Sequence, residues 1–248
     1  MKKVFIFFLI VLLTVITIIN VLNSSKLTVL TYHDFTLGEV SDPMQKNIND
    51  FEKEMKYLSK HNYKSLTLKN VECLYNKKCK LKRKSVLITM DDGWKSELKL
   101  AAPILKKYNL NAVIFYIGSN YDGHNDKFLN KEDLEKIKKD YPNIEIASHT
   151  YDNHYEDAYL KSTTELNSDF SKMKKIVNTK YFAYPYGHYS DNYIKSLKEN
   201  NYKLAFTFGP DKKHKKATIK DNRYMVPRLN LSTTYPFFKY VLKLVLPF

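Results

Sequence analysis

Hydrophobic and polar positions along this chain follow three regimes. From Val4 to Leu22 the sequence is almost unbroken apolar, with Lys2 and Lys3 ahead of it. At 1.5 Å per residue such a helix just reaches across a ~30 Å hydrocarbon core. The two lysines stay on the cytoplasmic side by the positive-inside rule. No A-x-A-like cleavage site is visible near Asn23. Residues 1–23 are read as a transmembrane anchor in preference to a cleaved signal. Either reading places one domain, 24–248, outside the cytosol.

After the anchor, helical spacings alternate with short apolar runs. "LTVLTYH" is a buried strand. In "NDFEKEMKYLSKHNY", Phe51, Met55 and Leu58 share one helical face, with Asn49 or Asp50 as the cap. "SVLITM" is apolar on both faces, which suits a parallel strand covered by helices. "KSELKLAAPILKKYNL" predicts a helix, "NAVIFYI" a strand, and "NKEDLEKIKKDY" a helix with acids early and lysines late. "NIEIAS" is the next strand. "STTELNSDFSKMKKIV" opens with a capping box, Ser162 to Glu165, and carries Leu166, Phe170, Met173 and Val177 on one face. "KYFAYP", "YKLAFTF" and "YMVPRLNL" are strands, and "SDNYIKSLKEN" is a helix.

This α/β alternation, without a Gly-rich dinucleotide turn, predicts a (β/α) barrel of seven or eight strands. The tail "YPFFKYVLKLVLPF" is too short to span a bilayer. It is read as a helix closing the barrel rather than as a membrane-surface contact.

Composition adds little about fold and something about partners. The 248 residues suffice for one barrel, and 41 Lys and Arg against 26 Asp and Glu give a net charge of +15. Such a charge favours anionic partners. The lysines are scattered, however, and no basic helix with interleaved aromatics is present, so the reading is a solvated basic surface and no nucleic acid. "PDKKHKK" is a solvated loop that could attract an acidic envelope polymer. Cys73 and Cys79 are either a disulfide closing a short loop or two free thiols. With no neighbouring histidine they make no zinc site.

The candidate chemistry lies just past the strands, where a barrel gathers its reactive groups. His33 follows the first strand, Asp91 and Asp92 follow "SVLITM", and His149 and His154 follow "NIEIA". "YPYGH" (184–188) follows "KYFA", and Arg228 follows "YMV". The five-residue spacing of His149 and His154 shares neither a helical face nor a strand face, so the two rings converge only across a turn. Two imidazoles and a carboxylate make a three-ligand site with open positions, the catalytic pattern of zinc. A cation bound by one aspartate also accounts for two adjacent carboxylates, leaving the other ionised as a base.

In sum, "TMDDG", "HTYDNH" and "YPYG" resemble the polysaccharide deacetylases of the NodB-homology type (carbohydrate esterase family 4). With "YH" near the start and a later "PR", the chain is most similar to exported N-deacetylases of biofilm poly-β-1,6-N-acetylglucosamine. The likeness runs from about Leu27 to Leu231. It implies a partly irregular (β/α) barrel and a divalent metal, commonly zinc, sometimes cobalt or nickel. It implies Asp91 as general base and Asp92, His149 and His154 as metal ligands. The Tyr186 N–H would hold the oxyanion, with Pro185 and Gly187 shaping its loop. The implied reaction removes acetyl groups from an N-acetylglucosamine polymer outside the cell. Alternatives are peptidoglycan or chitin-type glycans, or a non-catalytic polysaccharide-binding protein on the same fold.

Two features depart from the family pattern. Ala183 stands where many members carry an arginine that pairs with the base, and Arg228 is the candidate replacement. No histidine follows Arg228 to act as the acid; His33 is the candidate, with His188 second. Trp94 is a candidate for stacking on a sugar ring.

Overall fold

The computed structural model describes residues 2–23, 26–208, 215–232 and 236–247. Helix α1 (Lys2–Asn23) precedes strand β1 (Lys26–Tyr32), short strands β2 (Asp34–Thr36) and β3 (Gln45–Asn47), and helix α2 (Ile48–Lys60). Then come β4 (Lys64–Ser65), α3 (Leu68–Tyr75), β5 (Ser85–Asp92), α4 (Ala102–Lys107), β6 (Ala112–Tyr116), α5 (Lys131–Asp140) and β7 (Ile144–Ser148). The chain ends with α6 (Thr163–Ile176), β8 (Tyr181–Ala183), α7 (Asp191–Glu199), β9 (Leu204–Thr207), β10 (Ala217–Thr218), β11 (Val226–Pro227), β12 (Leu229–Asn230) and α8 (Phe237–Val245).

Strands β1, β5, β6, β7, β8 and β9 pair in parallel in that order. Residues 226–230 then reach both edges of this sheet. Val226 and Pro227 pair with Phe206 and Thr207, while Leu229 and Asn230 pair with Leu30 and Thr31. The sheet thus nearly closes into a barrel, and Arg228 sits at the break. Alternation along β5 sorts its side chains. Leu87 joins Val29, Val113, Phe115 and Phe206 in the inner cluster, whereas Val86, Ile88 and Met90 face the helical layer. Thr89 and Asp91 share the parity of Leu87 and fall on the inner side.

Several details differ from the expectation. Asn47, not Asn49 or Asp50, caps α2: its side chain accepts the Asn49 N–H at 2.9 Å, because the helix starts one residue earlier with buried Ile48. The helix after β5 is not regular. It opens with a π-turn, Glu97–Ala101, before α4. A small parallel pair, β2 with β3, and an antiparallel strand, β10 on β1, interrupt the βα alternation. Cys73 and Cys79 are bonded. Helix α8 does close the barrel layer, burying Tyr240 and Leu244 in the outer cluster with α2. Most of "PDKKHKK" lies outside the described residues. Among the described residues no helix is long and apolar enough to cross a membrane. The expected span also includes Ile16 and Asn20, whose side chains lie outside the description.

A buried polar knot ties β1, β3 and α2 together just below the mouth of the barrel. Glu54 accepts from Lys46 Nζ at 2.6 Å and from the Tyr32 hydroxyl at 2.8 Å. Burial pushes the Glu54 carboxyl up, and Lys46 pulls it back only in part, leaving it at about 7. A Lys46→Met variant leaves that carboxyl without its cation. Removing one partner of a buried pair costs ~3–5 kcal/mol. The sign follows from the raised value: the protonated form is favoured in the fold, so stability falls as pH rises from about 4.5 through 7. Urea midpoints for Lys46→Met are expected to drop more at pH 8 than at pH 5. An equal drop at both pH values would rule out an uncompensated Glu54 charge.

Candidate active site

The two aspartates end the same strand and are held differently. Asp91 is buried, and its two oxygens take Nη1 and Nη2 of Arg228 at 2.7 and 2.8 Å. The guanidinium is itself fully buried, over the Phe208 ring at 4.6 Å. Burial alone would raise Asp91. Arg228, then His149 and His33, outweigh it and hold the carboxyl below the usual range. The bidentate pair fits the sequence expectation that Arg228 supplies the charge absent at Ala183.

Asp92 turns away from its neighbour. Its backbone is left-handed (φ 80°), followed by Gly93 at the same φ. A Cβ on Gly93 would lie 2.5 Å from the Tyr116 ring, so glycine is required there. Asp92 Oδ1 lies 3.1 Å from His154 Nε2 and 3.4 Å from His149 Nε2, and the two Nε2 atoms are 3.2 Å apart. Four donors placed tetrahedrally at ~2.0–2.1 Å around zinc are about 3.3–3.4 Å from one another. The three side chains therefore fit a small divalent cation. Their bonds to the outside fix the same orientation. His149 Nδ1 lies 2.8 Å from the Ala183 carbonyl, which leaves Nε2 as the free ligand atom. Trp94 Nε1 donates to Asp92 Oδ2 at 3.1 Å. Burial would raise Asp92, but bonds from His149 and His154 hold it well below its ordinary value.

The loop between the histidines converges because another residue gathers it. Asp169 of α6 accepts the N–H groups of Tyr151, Asp152 and Asn153 at 2.7, 2.9 and 3.1 Å. Thr150 takes a left-handed φ of 74° at the head of that loop. The sequence reading missed Asp169, although a signal existed. Three residues after Leu166 and four before Met173, it puts a carboxylate on the apolar face of its helix. Glu97 was also missed. Both its oxygens are buried without a partner among the described residues. Burial first, and then Asp92, push its carboxyl well above its ordinary value.

His33, Trp94, Tyr186 and His188 line one cavity of about 530 Å³ with Asp91, Asp92, His149 and His154. That is within the ~300–1,000 Å³ of small-ligand clefts. His33 is anchored through Nδ1 to Ser232 Oγ at 2.7 Å, and its Nε2 lies 3.9 Å from Asp91 Oδ2. Burial lowers its pKa, which outweighs the opposing pull of Asp91. His188 stands at the rim against the Tyr159 ring. Pro185, Tyr186 and Gly187 form a short 3₁₀ turn. Tyr186 is left-handed (φ 56°), and its ring lies 5.4 Å from that of His154. A Cβ on Gly187 would meet the Phe208 backbone nitrogen at 2.8 Å. Trp94 reaches the cavity too, packed 4.4 Å from Phe128.

A family model described as "Polysaccharide deacetylase" matches residues 78–205. This range includes both aspartates, both histidines and the 185–187 turn, but not His33 or Arg228. A Staphylococcus epidermidis protein named poly-beta-1,6-N-acetyl-D-glucosamine N-deacetylase is 31% identical over 199 residues, covering 74% of this chain and 66% of its own length. YxkH of Bacillus subtilis, named as a polysaccharide deacetylase, is 32% identical over 194 residues, with 75% and 66% covered. The matches span about two thirds of the length of these relatives. Among solved structures, the Streptococcus pyogenes deacetylase PplD, in complex with acetate, superposes with a TM-score of 0.78 at 20% identity, covering 88% of this chain and 98% of that one. IcaB from Ammonifex degensii gives 0.72 at 22% identity, with 89% and 97% covered. These two likenesses establish the NodB-like deacetylase fold.

The Asp169 contacts generate a test. Outer-sphere partners of metal ligands typically carry 10–100-fold in affinity. Asp169→Ala is expected to weaken zinc binding by roughly that factor, and Asp169→Asn, which keeps one acceptor oxygen, by less. Competition with a chromogenic chelator reads both, and affinity unchanged in Asp169→Ala would show that the loop holds itself.

Proposed function

Since the chain belongs to the polysaccharide deacetylase family, hydrolases acting on amide bonds, we propose that it is a metal-dependent N-deacetylase of a poly-β-1,6-N-acetylglucosamine-type polymer outside the cell. The observation that carries this reading is one cavity holding two kinds of aspartate: Asp91 locked ionised against Arg228, and Asp92 within 3.4 Å of two imidazole nitrogens. The name of the Staphylococcus epidermidis relative supports the polymer. The apolar run of residues 4–22 behind Lys2 and Lys3 supports an anchor that leaves the barrel outside.

An acetamide carbonyl is a poor electrophile. A divalent cation on Asp92, His149 and His154, zinc with cobalt or nickel as substitutes, would polarise that carbonyl and acidify a water. Asp91 accepts the proton of the attacking water. Arg228 prevents Asp91 from rotating and keeps it anionic before the attack. The Tyr186 N–H, carried on its left-handed turn, donates to the oxygen as it gains charge, a contact of about 3 kcal/mol in such sites. The departing amine needs a proton. His33, anchored through Nδ1 to Ser232 and lining the cavity with Nε2 3.9 Å from Asp91 Oδ2, is the group placed to supply it. Acetate and a free glucosamine unit result.

Full-length protein purified in detergent without chelator tests the reading. About one divalent metal per chain is expected, with acetate released from poly-β-1,6-N-acetylglucosamine oligomers in preference to peptidoglycan or chitin fragments. Asp91→Asn is expected to keep the metal and lose at least ~10²-fold in kcat. Arg228→Gln is expected to lose activity and, as a broken buried pair, ~3–5 kcal/mol of stability. Protein that holds no metal and takes up no added zinc would overturn the proposal. Metal binding without acetate from any of these glycans would overturn the substrate. An Arg228→Gln variant of full activity would remove the arginine from the mechanism.

A further inference from the structure

The end of the barrel opposite the mouth carries a second built feature. A cavity of about 290 Å³ opens at the first residues of β1 and β5. Its lining brings Lys26, Arg83, Lys84 and Lys216 together with the apolar Ile19, Leu244 and Val245. Among the described residues that line it there is no Asp or Glu. Such a gathering of cations costs repulsion, and Lys216 registers it: burial, and then Lys26, push its ammonium down to about 8. Both lysines are directed at the end of α8. Lys216 Nζ donates to the Leu244 carbonyl at 2.8 Å, and Lys26 Nζ donates to that of Pro247.

Helix α8 has two apolar faces. Tyr240 and Leu244 are buried inside. Phe238, Leu242 and Val245, spaced by four and three, are exposed at 59%, 43% and 37% and form an outward stripe. The barrel needs only the first face. A second stripe beside a cationic cavity, at the point where α1 leads into β1, has the composition of a surface that meets headgroups and acyl chains together.

We propose that this base of the barrel is a lipid-docking surface. The outer stripe of α8 enters the interfacial layer, and the phosphate of an anionic phospholipid headgroup seats among Lys26, Arg83, Lys84 and Lys216. The inference rests on the reading above that the chain meets a membrane, and it adds an orientation. From Ser85 to Asp91 β5 climbs six residues, about 20 Å of strand at ~3.3 Å each, or about 16 Å along the barrel axis at the ~36° tilt of barrel strands. With its base on the bilayer, the mouth faces outward by that height, toward an external polymer.

Trp94 is the sole tryptophan and stands in the mouth, so it reports the height of the mouth. Trp94→Phe combined with Phe238→Trp moves the reporter to the base. The full chain is reconstituted into phosphatidylcholine–phosphatidylglycerol vesicles carrying shallow nitroxide lipids. Native Trp94 is expected to stay unquenched, while the indole introduced at position 238 is expected to lose emission. Arg83→Glu with Lys84→Glu, both exposed, is expected to reduce that loss without changing acetate release from soluble oligomers. A chain that floats with the vesicles but shows no quenching at 238 overturns the docking surface and leaves the membrane reading standing. A chain that floats with no vesicles overturns both. Quenching at 238 that is insensitive to the charge reversal and to phosphatidylglycerol overturns the phosphate pocket.

Discussion

Two carboxylates on adjacent residues of a buried strand end cannot both stay ionised unless each has its own counter-charge, and the site is arranged around that constraint. Neighbouring residues of a strand point to opposite faces. Asp91 and Asp92 nonetheless line one cavity, because the backbone turns left-handed at Asp92 and Gly93. That turn separates their partners. Asp91 keeps the inward parity of β5 and meets a fixed guanidinium, while Asp92 swings to the imidazoles. The permanent charge of Arg228 suits the base role proposed for Asp91, and the imidazoles suit the metal-ligand role proposed for Asp92.

The guanidinium also explains how the barrel closes. Arg228 lies between two two-residue pairings, one to β9 and one to β1. A continuous strand there would alternate side chains evenly between the faces. The break frees one position to send a long side chain into the interior. Closing the sheet and charging the base are thus one structural event. Ala183 fits the same scheme. With a small side chain in the inner cluster, its contribution is its carbonyl, which fixes the His149 ring. The charge expected from that strand arrives instead from the segment that joins the two edges.

The sequence made the regular parts legible for a physical reason. A parallel strand buried on both faces, such as "SVLITM", reads as continuous apolar residues, and α6 shows its face and its capping box directly. The five-residue spacing of His149 and His154 required a turn, and Thr150 and the N–H groups on Asp169 supply it. What stayed hidden has one character. Asp169 and Glu54 are carboxylates on the buried faces of amphipathic helices, and in a periodicity reading they look like interruptions. Their meaning lies in what they meet, three loop N–H groups in one case and Lys46 with Tyr32 in the other. The pieces β11 and β12 are too short to carry any period. Nor could the sequence show that the indole N–H of Trp94, a candidate for stacking on a sugar ring, is directed at Asp92.

Strain and support fall at the same places. Asp92, Thr150 and Tyr186 are non-glycine residues with left-handed backbones, each at or shortly after the end of a barrel strand. Such conformations cost of order 1–3 kcal/mol each and persist only where surrounding contacts over-determine them. Those contacts are present: Trp94 and the two imidazoles on Asp92, Asp169 on the loop after Thr150, and Phe208 against the glycine that follows Tyr186. None of them requires a bound group. With those contacts in place, Asp92 Oδ1 and the Nε2 atoms of His149 and His154 lie 3.1–3.4 Å from one another.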